Sequence, residues 1–169
     1  MLQNIDWVDE DDAQAAIDFA AAGGLLITAV HVTGCARGLT SLLWRRFVKR
    51  RHDAAELLKV VVAPRRLFMV CAHCAEEYSV PARILIESGL SDPPVDAGGR
   101  VATWRGRGCP LCENTGELGS TAVYEVLDLT GEMKRFIENS NDWYFEQVEY
   151  LERQAWLHGM RTQRELALE

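Results

Sequence analysis

Four of the five cysteines stand in two C-x-x-C pairs, Cys71-Ala-His-Cys74 and Cys109-Pro-Leu-Cys112, separated by residues 75–108. A C-x-x-C turn is tight enough to aim two thiolates at one point. Two such turns complete a four-sulfur tetrahedron around Zn2+ with Zn–S bonds of about 2.3 Å. Where thiols are kept reduced, paired knuckles of this kind bind metal rather than form disulfides. With all four positions filled by sulfur no place is left for water, so the zinc expected on Cys71, Cys74, Cys109 and Cys112 is structural. Two weaker readings use the same residues. A single pair opening a helix after a strand would serve thiol–disulfide exchange, and four thiolates also hold an iron–sulfur cluster. His73 lies inside the first pair and is read as a bystander, because four thiols are at hand. Cys35 stands alone and is read as a small, inert, buried residue. The interval between the pairs is longer than in a compact zinc ribbon, so a small subdomain must sit between them.

Composition bounds the rest. The chain has 169 residues, with 18 Lys+Arg against 25 Asp+Glu and a net charge of −7. Its hydrophobic share of 48% is that of a globular protein, which excludes wholesale disorder. No apolar run approaches the roughly 18–20 residues that span a bilayer, and Met1–Asp6 lacks the basic and apolar regions of a secretory signal. The acidic balance argues against general nucleic-acid binding, which needs a basic footprint. These features point to a soluble, cytosolic protein.

The elements that must position the cysteines follow from pattern. Asp11 or Asp12 is placed to cap a helix over Ala13–Ala22 that stops at Gly23-Gly24. Leu25–Val32 is almost wholly apolar, which predicts a buried strand of a parallel sheet with Leu26 and Ile27 in the core. After Gly34 a helix is predicted over Ala36–Arg51, with Leu39, Leu42, Leu43 and Phe47 on one side and a basic end, Arg45–Arg51, favoured by the helix dipole. That basic end could also face an acidic partner or anionic lipid. Leu57–Val62 and Leu67–Val70 are apolar segments flanking Pro64, the first either strand or helix. Between the cysteine pairs Pro81–Gly89 reads as a short helix and Ser91–Gly99 as a loop. Residues 100–104 and 121–126 read as strands, and from Gly131 the pattern is helical as far as His158-Gly159.

These residues resemble a known family, the ATPases that drive type II secretion and type IV pilus assembly. The likeness is carried by Arg65–Cys74, by Gly108-Cys-Pro-Leu-Cys112, by Thr115-Gly116 and Gly119, and by Val123-Tyr124-Glu125-Val126. Cys109 to Glu125 follows the family pattern G-C-P-x-C-x-x-T-G-x-x-G-R-x-x-x-Y-E with the same spacing. Gly159-Met160-Arg161-Thr162 is similar to the family's closing G-M-x-T, and Ala20–His31 to its helix, glycine and strand ending in histidine.

The resemblance implies an α/β fold: the C-terminal portion of a RecA-like ATPase domain with a tetracysteine zinc subdomain and C-terminal helices. The expected divisions are 1–68 for the partial RecA-like segment, 69–122 for the zinc module and 123–169 for the helical segment. The phosphate-cradling motif G-x-x-x-x-G-K-[ST] is absent from these 169 residues, and the resemblance implies that the chain begins after it. The family's G-E-I-R-D motif falls on Ile5-Asp6-Trp7-Val8-Asp9, keeping carboxylates and losing the arginine. Its H-T-N-D box reads His31-Val32-Thr33-Gly34, keeping the histidine alone. Asp6 and Asp9 are therefore expected near a nucleotide's magnesium, or as an acidic helix lead-in. His31 is expected near the γ-phosphate, or as a satisfied core histidine, and Arg65 toward a neighbouring subunit or the ATPase core.

The implied cofactors are Zn2+, with ATP and Mg2+ only in a full-length protein; this chain alone is not expected to hydrolyse ATP. The implied partners are the other subunits of a hexameric ATPase and an inner-membrane platform protein, at the cytoplasmic face of that membrane. The rival reading is a standalone, non-catalytic, zinc-stabilised scaffold.

Overall fold

Alanine at every third or fourth position lets a helix approach its neighbours closely, and α1 (Glu10–Ala21) uses Ala13, Ala16 and Ile17 this way, each at most 4% exposed. A computed structural model supplies the coordinates and describes residues 10–46, 48–88, 90, 92–140 and 144–167. Asp11 and Asp12 lie inside the first turn of α1 rather than at its cap, where their charge complements the helix dipole. The helix stops at Gly23 (φ 93°), and the amides of Gly23 and Gly24 turn back onto the carbonyls of Ala20 and Phe19.

Two further expectations are corrected here. Leu25–Val32 follows α1 without regular secondary structure, with a bend at His31, and joins no sheet among the described residues; Ile27 is 58% exposed and Leu26 half-buried, so neither sits in a core. An apolar run becomes a buried strand only when strands lie on its edges and elements on its faces, and the described residues do not supply them.

The single helix expected over Ala36–Arg51 is instead broken. Helix α2 spans Cys35–Ser41, a π-helical turn Leu42–Arg46, a 3-10 turn Val48–Arg50, and α3 Arg51–Leu57. Thr40 donates its hydroxyl to the Ala36 carbonyl at 2.7 Å, a back-bond that weakens helix continuity. The wide turn that follows lets Leu39, Leu42 and Leu43 all enter the core. Arg50 and Arg51 thus stand at the start of α3, not at a helix end. Arg50 pairs with Asp18 and, at 2.7 Å, with Asp53; Arg51 lies over the Trp44 ring at 4.7 Å and donates to the Ser140 carbonyl. Phe47 lies outside the described residues.

The chain then forms β1 (Val60–Val70), β2 (Ala75–Pro81), α4 (Ala82–Glu87), β3 (Arg100–Gly106), β4 (Glu117–Asp128), α5 (Gly131–Asn139), α6 (Tyr144–Leu157) and α7 (Gln163–Ala167). Of the two apolar segments around Pro64, the first begins in α3 with Leu57, and from Val60 on it joins Leu67–Val70 in one strand. β1 pairs with β4, and β2 pairs antiparallel with β3 in the register Glu76↔Arg105, Tyr78↔Thr103, Val80↔Val101.

Two compact units result, residues 1–63 with 125–161 and residues 64–124 with 162–169. The first holds an apolar core of Ala13, Ile17, Leu39, Leu43, Leu127, Met133, Ile137 and Leu151, with α2 against α6 and α3 against α5. Thr130 caps α5 by accepting the Met133 amide, and Phe136 stacks on Tyr150 with ring centroids 3.7 Å apart. The second unit buries few side chains, chiefly Cys71, Cys112, Leu85 and Val101. In it Arg105 and Arg107 converge on Glu76 and hold its carboxyl below the usual range, Arg107 more strongly. Thr162 and Glu165 cap α7 reciprocally.

Leu151 has no exposed surface and Ile27 is more than half exposed. Urea unfolding of the isolated chain is therefore expected to show Leu151→Ala losing about 2–5 kcal/mol and Ile27→Ala changing stability by less than about 1 kcal/mol. Equal losses would contradict this assignment of the core.

Candidate metal centre

Cys71 directly follows β1 and Cys74 directly precedes β2; Cys109 precedes the 3-10 turn Pro110–Cys112 after β3, and Cys112 ends it. The four sulfurs lie within 4.8 Å of one another. Individual separations are 3.7 Å for Cys109–Cys112, 3.8 Å for Cys74–Cys112 and 4.0 Å for Cys71–Cys109. A tetrahedron of Zn–S bonds of about 2.3 Å has edges of roughly 3.8 Å, so these separations fit a four-thiolate ion. They are well beyond a disulfide bond of about 2.05 Å, and all five cysteines are free.

The backbone explains why the loops can meet. Cys71 donates its amide to the Gly116 carbonyl at 2.9 Å and Arg107 its amide to the Cys74 carbonyl at 3.0 Å, tying each knuckle to the strand beside the other. Gly106 and Gly116 pass so closely that a Cβ on Gly116 would stand 2.6 Å from the Gly106 carbonyl oxygen. A side chain at either would push the knuckles apart.

The electrostatics suit a cation. Cys112 accepts the amides of Cys109 at 3.2 Å and Gly116 at 3.3 Å. Burial opposes its ionisation, but these amides and the neighbouring thiols outweigh it and hold the thiol down at about 6. Burial pushes Cys74 up to about 11, with the Gly108 amide working the other way and the other three thiols adding to the rise. A cluster that is part thiolate and part thiol takes up a dication by releasing the remaining protons. His73 is exposed and stands outside the group of four.

The nucleotide-side candidates are placed differently. Asp6 and Asp9 lie outside the described residues; His31 is exposed, in the bend before α2. Arg65 is exposed on β1.

One functional-looking residue had no role assigned from sequence. Glu125 is 7% exposed, and its carboxylate accepts the Cys35 amide at 2.5 Å, locking the turn that follows His31. Gly34 in that turn has φ 82°, and a Cβ there would lie 3.3 Å from Glu125 Oε2. The available signal was the strand alternation itself, which points Glu125 and Leu127 inward together. The Cys35 thiol donates to the carbonyls of Val61 and Glu125, both at 3.2 Å. Burial first, then the Glu125 charge, pushes it up to about 12, and the cysteine is buried as expected.

The model of the type II/IV secretion system protein family matches residues 8–168. The chain is 30% identical over 129 residues to the type IV pilus assembly ATPase PilB of Pseudomonas aeruginosa, covering 76% of this chain and 22% of that protein. It is 29% identical over 154 residues to the protein transport protein HofB homolog of Escherichia coli, covering 91% and 30%. To the type II secretion system ATPase E of Vibrio cholerae it is 26% identical over 133 residues, covering 78% and 25%. The chain spans less than a third of the length of these relatives. Among the described residues no helix is long and apolar enough to cross a membrane.

The purified chain is expected to hold one zinc. Removal by chelator, or Cys109→Ser, should speed amide exchange across residues 64–124 while peptides containing Ile137 and Leu151 stay protected. Because ligation expels thiol protons, apparent zinc affinity should fall as the pH is lowered from about 8 to about 6, read by competition with a chromogenic chelator. Separately, Gly34→Ala should cost about 1–3 kcal/mol, measured by thermal unfolding, and a neutral result would contradict the tight Glu125 contact.

Proposed function

Because the chain belongs to the type II/IV secretion system protein family, we propose that it is the zinc-bearing part of a secretion or type IV pilus assembly ATPase. In this reading it helps couple ATP hydrolysis by a full-length hexamer to secretion or pilus assembly, and hydrolyses no ATP alone. The observation that carries the proposal is the family match over residues 8–168 combined with four cysteines whose sulfurs converge within 4.8 Å.

Cys71, Cys74, Cys109 and Cys112 would hold the zinc. Bound there, the ion supplies a cross-link and no open coordination position. The chain's own part is mechanical: a module held rigid passes on displacement instead of absorbing it. Residues 1–68 are read as part of a RecA-like α/β domain, 69–122 as the zinc module and 123–169 as the helical segment. Asp6 and Asp9 would face the magnesium, and His31 the γ-phosphate, of a nucleotide held by a phosphate loop elsewhere in the full protein. The partners are other subunits and an inner-membrane platform protein at the cytoplasmic face, with no nucleic acid.

A second reading rests on the histidine box, where His31-Val32-Thr33-Gly34 lacks the Asn-Asp pair: a standalone scaffold that docks a partner without chemistry. The mass of the native protein separates the two. An immunoblot of source cells is expected to show a band several-fold heavier than 19.0 kDa, with ATPase activity in the immunopurified protein. A band at 19.0 kDa without such activity would overturn the ATPase reading in favour of the scaffold.

A further inference from the structure

Cys109-Pro-Leu-Cys112 closes on itself as well as on a metal. Pro110 opens the 3-10 turn with its φ already fixed, and the turn brings the two sulfurs to 3.7 Å. That is the shortest of the three separations given above. A disulfide bond of about 2.05 Å is therefore reached by roughly 1.7 Å of sulfur movement within a single turn. The tip of the turn faces water: Pro110 is exposed and Leu111 is 62% exposed. Cys109 is half-buried and Cys112 only 4% exposed. One sulfur is open to a small solute, and the other lies shielded beside it.

The remaining cysteines are placed differently. Cys71 is fully buried, and its amide is tied to the Gly116 carbonyl. Cys74 is half-buried and its carbonyl holds the Arg107 amide. A bond from Cys74 to Cys112, 3.8 Å away, would join two separately anchored knuckles, whereas Cys109 and Cys112 belong to one. Cys35 has no exposed surface, and its thiol is engaged by the carbonyls of Val61 and Glu125. A solute cannot reach it.

Oxidation of cysteine follows exposure, and it stays reversible where a second thiol captures the sulfenic acid before further oxidation. Cys109 and Cys112 have that arrangement. Once joined to each other they leave Cys71 and Cys74, two ligands where a structural zinc takes four. The new bond does not replace the metal, because a cross-link over so short a loop removes little chain entropy. Nor does packing replace it, since this unit buries few apolar side chains, chiefly Leu85 and Val101 beside the cysteines.

We propose that the cysteine cluster is a peroxide-sensitive switch, in which a disulfide between Cys109 and Cys112 expels the zinc and loosens residues 64–124. With hydrogen peroxide as oxidant, the Cys109 thiolate attacks one oxygen, the O–O bond breaks, and a sulfenic acid and hydroxide form. The Cys112 thiolate then displaces hydroxide from that sulfur as the S–S bond forms. Two electrons pass from the sulfurs to the peroxide, and both hydroxides leave as water after taking protons from solvent. The proposal rests on the zinc reading above. In that reading, a loosened module absorbs displacement that a rigid one passes on.

The test uses the full chain, reduced and loaded with zinc, and titrates it with hydrogen peroxide. Zinc release is read with a chromogenic chelator, thiol loss and disulfide position by peptide mass mapping, and loosening by amide exchange. One equivalent of peroxide is expected to release the zinc in step with the loss of two thiols. The map should show Cys109 bonded to Cys112 and Cys35 still reduced. Exchange across 64–124 should rise at least tenfold, with peptides containing Ile137 and Leu151 unchanged, and dithiothreitol with added zinc should restore the starting state. A disulfide that leaves exchange across 64–124 unchanged would overturn the proposal. So would zinc release accompanied by sulfinic or sulfonic acid and no disulfide. A reduced chain that binds no zinc would overturn the metal centre and the switch with it; a chain that binds zinc and keeps it in excess peroxide would overturn the switch alone.

Discussion

Four sulfur atoms brought within 4.8 Å of one another set the path of the chain from Cys71 to Cys112. Once both knuckles must meet, β2 and β3 have to run antiparallel between them, and the strand ends have to approach closely enough that only glycine fits at Gly106 and Gly116. The same unit buries few apolar side chains, chiefly Leu85 and Val101 beside the cysteines. Burying each stabilises by about 1.5–3 kcal/mol, whereas structural zinc in small modules contributes about 10–16 kcal/mol. Between those magnitudes, a metal held by the four thiolates would be the larger contribution to the stability of this unit.

The other unit is organised by ordinary packing, with one polar exception. A buried carboxylate is costly unless it is hydrogen-bonded, and Glu125 is satisfied by the Cys35 amide at the start of α2. The contact also determines its surroundings: it needs the positive φ and missing side chain of Gly34, and it discourages ionisation of Cys35. The turn carrying His31 into α2 is therefore held by a strand distant in sequence rather than by local propensity.

What could be read from sequence divides along the range of the forces involved. The cysteine cluster was legible because C-x-x-C spacing is local geometry, and α5 and α6 because apolar residues recur at helical spacing up to Gly159. The break after Ser41 was not, because a back-bonding threonine and two adjacent core leucines act together through tertiary packing. Glu125 was visible as part of a family pattern, but its role depends on a partner 90 residues away. Leu25–Val32 failed differently: the pattern describes a strand buried on both faces, and the described residues cover only one side of it, where Val30 packs against the core.

That mismatch bears on how the two units reach stability. A unit whose cysteines take up a metal would reach its conformation with little help from a large apolar surface. A unit held by packing is as complete as the surfaces available to cover it. The core around Leu43, Met133, Ile137 and Leu151 is closed, yet the uncharged edge beside it remains open to water. The alternate residues Leu26, Thr28 and Val30 are half-buried while Leu25 and Ile27 face water, so the packing of this unit covers one side of an apolar run whose composition calls for cover on both.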